Sequence, residues 1–177
     1  MVASRHLGAG SGEGVEDPGQ DLDLPVPETD IMPTSPESLD RLSWRGHFGE
    51  DHEMRRFHYD AVEIRTMGGS FNTPGPGTSW LRLLVPVVED EQPSDFVRLA
   101  TLADMANGNS QVLDPAVHVF VNPDISLHLH RLPRGDWIGM RSVSYPQPYG
   151  IGMADTAVYD LDGCIGRVIQ SQYLDRR

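Results

Sequence analysis

The segment Asp95-Phe96-Val97-Arg98-Leu99-Ala100-Thr101-Leu102-Ala103-Asp104-Met105-Ala106-Asn107-Gly108 is the one convincing helix of this chain. Pro93-Ser94 precede it, so the Ser94 hydroxyl is placed to cap the first turn and Asp95 to face the positive end of the helix dipole. Phe96, Val97, Leu99, Ala100, Leu102, Ala103, Met105 and Ala106 cover nearly the whole circumference. That pattern predicts a helix from Asp95 to about Asn107, stopped by a left-handed Gly108 and enclosed on all sides. An enclosed helix needs a sheet wrapped around it.

Working outward, the flanking segments supply strands. On the N-terminal side, Phe57 to Arg65 alternates in its second half and stops at Gly68-Gly69. Ser79 to Pro86 follows the breaker Pro74-Gly75-Pro76-Gly77. On the C-terminal side, Val117 to Leu132, Asp136 to Ser144, Gly150 to Tyr159 and Cys164 to Leu174 are strand-like, separated by Pro- and Gly-containing turns. Ile125, Leu127 and Leu129 alternate with Ser126, His128 and His130, giving one dry and one polar face. Hairpin connections would make these four strands an antiparallel meander. The expected order is two strands, one helix, then four strands, an α+β domain over residues 35–177.

Residues 1–34 read differently. Their glycines and prolines are interspersed with seven acids against the single Arg5, so the segment lacks the apolar area to offset its ordering entropy and is expected to be a disordered acidic lead-in. Gly8, Gly10, Gly12 and Gly14 follow no strand, open no helix and have no lysine, which excludes a phosphate loop. The chain carries a net charge of -12 and all 14 basic residues are arginine, a poor basis for binding a phosphate backbone. No apolar run approaches the roughly 20 residues of a membrane span, and the first residues lack the apolar core of a secretory signal, so the cytoplasm is the expected compartment. The lone Cys164 reads as a small packing residue, and Trp80 and Trp137 as core or interface anchors.

Four blocks carry a resemblance. They are Leu102 to Gly108, Phe120-Val121-Asn122-Pro123-Asp124-Ile125-Ser126-Leu127-His128-Leu129-His130-Arg131, Gly135-Asp136-Trp137-Ile138-Gly139, and Ala157 through Gly163-Cys164-Ile165-Gly166-Arg167 to Gln170-Ser171. In this order and spacing, over residues 57–177, the chain resembles the thioesterase-like superfamily of type II acyl-CoA thioesterases. The resemblance implies a hotdog fold, an antiparallel β-sheet wrapped around one long central helix. Family members carry two hotdog repeats in tandem, and the likeness falls on the second. A lone repeat leaves its pocket mouth uncovered, which implies a homodimer or pairing with a second hotdog repeat.

By the same resemblance, Asp104, Asn122 and Gln170 would hold and activate a water that attacks an acyl-CoA or a related acyl thioester, with no cofactor. Asp104 is also singled out by its own setting. Near the C-terminus of an apolar helix the dipole disfavours a carboxylate and burial would raise its pKa, as a general base requires. Asn122 stands where a hydroxyl residue is expected; its amide can hydrogen-bond a water but cannot act as a nucleophile. Each has a plainer alternative. Asp104 could satisfy backbone amides around Asn107-Gly108, Asn122-Pro123-Asp124 could mark a bulge, and Gln170 could pair at an edge. Asp124 is the competing carboxylate. His128 and His130 share a face but lack a third metal ligand, and read as solvent-side or interface residues. A non-catalytic acyl-CoA-binding or assembly module, and a hotdog enoyl-thioester hydratase or dehydratase, remain as alternatives.

Overall fold

A computed structural model of the protein describes residues 30–43, 57–69, 74–114 and 116–177. A helical turn, α1 (Phe57–Asp60), leads into β1 (Val62–Gly68) and β2 (Gly77–Leu83). Helix α2 (Asp95–Ala103) follows, then β3 (His118–Val121), β4 (Ile125–Leu129), β5 (Ile138–Pro146), β6 (Ile151–Asp160) and β7 (Gly163–Arg176). The strands form one antiparallel sheet in the order β1-β2-β5-β6-β7-β3, with β4 also paired to β7.

The sheet departs from a meander at one place. The expected strand Val117 to Leu132 is two strands, and both pair with β7 rather than with β5. Hairpins join β5 to β6 and β6 to β7, whereas the segment after β4 crosses to the far side of the sheet and enters β5 beside β2. The N-terminal strand also starts later than its sequence suggests, because Phe57–Asp60 makes a helical turn in which the Ala61 N–H donates to the Phe57 carbonyl at 2.8 Å.

Helix α2 lies on the concave side. Leu99, Leu102 and Ala103 are buried, with Met105 and Ala106 beyond them, against Val62, Ile64, Leu81, Ile138, Met140, Val158, Ile165 and Val168. Ser94 caps the helix as expected, its Oγ accepting from the Val97 N–H at 3.3 Å. Enclosure on all sides is not realised. Phe96 is 50% and Val97 39% exposed, because the sheet wraps one side of the helix and leaves the other outward. Nor does the α-helix run to Asn107. It gives way after Ala103 to a 3-10 turn, Asp104–Ala106, and Gly108 is absent from the glycines with positive φ. The chain instead stays in turns through Ser110, held by Asn109 N–H to the Met105 carbonyl at 3.1 Å.

Asn109 fixes that end of the helix. Its Oδ1 accepts from Ser79 Oγ at 2.6 Å, and its Nδ2 donates to Ser142 Oγ at 2.9 Å and to the carbonyls of Gly77 and Met140 at 3.2 Å each. All these groups are buried, so the bonds are worth more than surface contacts and hold the helix end to β2 and β5.

The convex side carries a second cluster of Trp80, Trp137, Tyr159 and Met32. Residues 30–42 strap over it: Trp80 Nε1 donates to the Thr34 carbonyl at 2.8 Å, Cys164 N–H to Asp30 at 2.8 Å, and Leu42 N–H to Ile64 at 2.7 Å. The two tryptophans thus anchor a core, and Cys164, half-buried, packs beside them. Of the expected lead-in, residues 30–34 belong to this strap, while residues 1–29, with their glycine run, lie outside the described residues.

Candidate active site

The three expected site residues come from three elements that meet where α2 ends. β7 passes over that point with Val168, Gln170, Gln172 and Leu174 directed inward. Gln170 is fully buried, and its Nε2 donates to the backbone carbonyl of Asp104 at 3.4 Å. Opposite β7, Val121 pairs with Tyr173 and Ile125 with Gln170, so residues 121–125 face residues 170–173 and the β3/β4 side holds one residue more. Asn122-Pro123-Asp124 is therefore a bulge, which re-aims Asn122 toward the helix end. The Asn122 Oδ1 accepts from Asn107 Nδ2 at 2.5 Å, and Asn107 Oδ1 accepts in turn from Gln172 Nε2.

Asp104 occupies the corner but not as its sequence setting implies. It is exposed, so the premise of a carboxylate pressed into the core does not hold: the 3-10 turn rotates Asp104 outward while Met105 and Ala106 take the buried positions. Its contact with Gln170 is through the backbone, and its carboxylate has no hydrogen-bond partner among the described residues. It is free to meet a ligand or a covering surface. Asp124 is also exposed and sits on the outer part of the bulge.

Asn107 and Gln172 went unmarked in the sequence reading. For Gln172 a signal was available, since it shares the inward parity of Gln170 in β7 and cannot face the core without a partner, whereas Asn107 lies in the turn after the helix, where no such pattern applies. Small residues make room for them: Ala154 lies opposite Gln170 and Gly152 opposite Gln172. Gln170 Oε1, Gln172 Oε1 and Ser144 Oγ are buried with no partner among the described residues. Polar atoms left so in a core cost about 1–3 kcal/mol each, a cost more often met at functional sites than elsewhere.

His128 lies opposite Arg167 and is exposed, as is His130. Among the described residues no group of three or more His, Cys, Asp or Glu side chains is arranged to hold a metal, and no helix is long and apolar enough to cross a membrane.

A curled antiparallel sheet on one central helix, with this topology, defines an α+β hotdog domain. The chain belongs to the acyl-CoA thioesterase C-terminal domain family, whose profile matches residues 33–174. Among solved structures it is similar to the acyl-CoA thioesterase II TesB2 from Mycobacterium marinum, at 18% identity over 87% of this chain and 59% of that one, with a TM-score of 0.58. It is similar also to the tesB protein of Mycobacterium avium subspecies paratuberculosis, at 19% identity over 86% of this chain and 56% of that one, with a TM-score of 0.54. The chain thus spans less than two thirds of either. No curated protein matches it significantly by sequence.

Proposed function

We propose that the chain hydrolyses an acyl-CoA, or a related acyl thioester, at the corner where α2, the 122–124 bulge and β7 meet. The observation that carries this reading is the convergence itself: Gln170 on the Asp104 backbone, and Asn122 joined to Asn107 three residues further along. Membership of the acyl-CoA thioesterase C-terminal domain family supports the substrate class.

In this mechanism Asp104 takes a proton from a water as the water oxygen bonds to the thioester carbonyl carbon. Asn122 and Gln170 orient the water and the carbonyl. The tetrahedral oxyanion then collapses, the carbon–sulfur bond breaks, and the thiolate of the carrier recovers the proton, leaving a carboxylic acid and a free thiol. The acyl chain would lie along the apolar inner face beside α2. Phe96, Val97, Val121 and Ile125 are exposed large hydrophobics on α2 and around the bulge, which supports a second hotdog, in a homodimer or a longer protein, covering the site mouth. An acyl-CoA-binding module without turnover is the second reading, favoured by the exposed Asp104 carboxylate.

Incubation of the full chain with an acyl-CoA in H2(18)O separates the readings. Hydrolysis places one heavy oxygen in the released fatty acid. Saturable binding with no acid released supports the binding module, and addition of water to an enoyl-CoA supports a hydratase; either outcome displaces the proposal.

A further inference from the structure

We propose that Asn107 and Gln172 are positioning residues that fix the amide of Asn122 with its Nδ2 hydrogens turned to the reacting carbonyl, an inference that rests on the hydrolase reading above. The two side chains are 3% and 6% exposed, on different elements, and neither is accounted for by packing alone. Gln172 Nε2 donates to Asn107 Oδ1, and Asn107 Nδ2 donates to Asn122 Oδ1 at 2.5 Å. With its Oδ1 turned to Asn107, the amide of Asn122 directs its Nδ2 hydrogens the other way.

The far end of the relay sets its direction. Gln172 Oε1 and Ser144 Oγ, both buried and without a partner among the described residues, belong to residues that line one cavity of about 10 Å³ together with Asn107. That is roughly the volume in which a single water is held. A water donating to Gln172 Oε1 leaves Gln172 Nε2 as the donor to Asn107, and the order is passed on to Asn122. Reversal would present the Asn122 carbonyl oxygen to an oxyanion, where it repels. Asn122 therefore donates throughout the reaction and takes no proton, which leaves proton transfer to Asp104. Gly152 belongs to the same device: a Cβ there would come within 2.6 Å of Gln172 Oε1.

The test is steady-state hydrolysis of decanoyl-CoA by the full chain, combined with NMR of the 15N-labelled protein. Asn107→Leu and Gln172→Leu should each lower kcat roughly tenfold or more with KM little changed, as for a misdirected oxyanion donor. Adding Asn122→Ala to Asn107→Leu should cost nothing beyond Asn122→Ala alone. Asn107→Asp keeps the volume but accepts from both neighbours and turns the Asn122 amide around, so it should lose kcat as Asn107→Leu does. If Asn122→Ala lowers kcat while Asn107→Leu and Asn107→Asp do not, or if the losses multiply, the relay is overturned and the hydrolase reading stands. The side-chain amide signal of Asn122, identified by its loss in Asn122→Ala, should also move in Gln172→Leu. A signal that stays in place overturns the relay whether or not the wild-type chain turns over decanoyl-CoA, and absence of turnover counts against the hydrolase reading alone.

Discussion

Gln170 and Asp160 are both buried polar residues, yet their surroundings predict opposite responses to replacement. Every carboxylate oxygen of Asp160 is engaged: Oδ1 accepts from Arg131 at 2.7 Å, Asp162 N–H at 2.9 Å and Gly163 N–H at 3.1 Å, and Oδ2 from Arg134 N–H at 2.9 Å and from Arg131 again. Removing it orphans these donors at the β6–β7 turn, so Asp160→Ala should lower stability by about 2–4 kcal/mol in denaturant unfolding. Gln170 makes one long bond and leaves Oε1 unpartnered. Gln170→Leu should leave the melting temperature unchanged or raise it by a few degrees, since an unsatisfied amide is exchanged for apolar volume. Its thioester turnover should be lost. A large drop in melting temperature would make Gln170 a structural residue.

At the scale of elements, the contact between β4 and β7 decides whether the bulge can present Asn122. Gly166 in β7 has φ +156, and a Cβ there would lie 2.1 Å from the His128 carbonyl oxygen. Gly166→Ala should therefore push β4 off β7, seen as lost protection of the 125–129 amides in hydrogen exchange and a fall in stability of about 2 kcal/mol or more. Much of this layer was legible from the sequence: the capping serine, the inward alternation of Leu127 and Leu129, and the turns around Pro133-Arg134-Gly135 and Asp160 to Gly163 each follow from local chemistry. Three features were not. The break of the long strand at Asn122-Pro123-Asp124 and its pairing with β7 are set by contacts some fifty residues away. The outward turn of Asp104 depends on the switch to a 3-10 turn, which apolar periodicity does not report. The open side of α2 reflects how far the sheet curls, a property of the assembled strands. The site positions were reached by resemblance; Asp104 was also singled out by its place near the end of an apolar helix, a setting the exposed side chain does not bear out.

For the whole molecule, the shifted side chains titrate at opposite ends of the pH scale. Burial would raise the carboxyl of Asp160, but the Arg131 guanidinium and the backbone N–H groups of Arg134 and Asp162 outweigh it and hold the group below its ordinary 3.8. Glu63, likewise resisting burial through Arg82 and Arg65, sits below its ordinary 4.5. Their contributions are complete above those ordinary values and are lost as pH falls through the lowered ones, so acid unfolding should steepen below about pH 4. Tyr159, under the 30–42 strap, is pushed up to about 12 by burial and by its hydrogen bond to Asp30 at 2.6 Å. Its share of stability is intact below pH 10 and disappears between about pH 10 and 12; Tyr159→Phe should remove that alkaline loss in thermal melts across this range.

All of the proposed chemistry depends on an exposed acid that has no structural duty. The most direct measurement is the release of free thiol from decanoyl-CoA by the full chain and by Asp104→Ala, with melting temperatures taken in parallel. The wild-type chain should turn over the substrate, the variant should lose roughly a hundredfold or more, and both should melt at the same temperature. Equal turnover by the two proteins would contradict it.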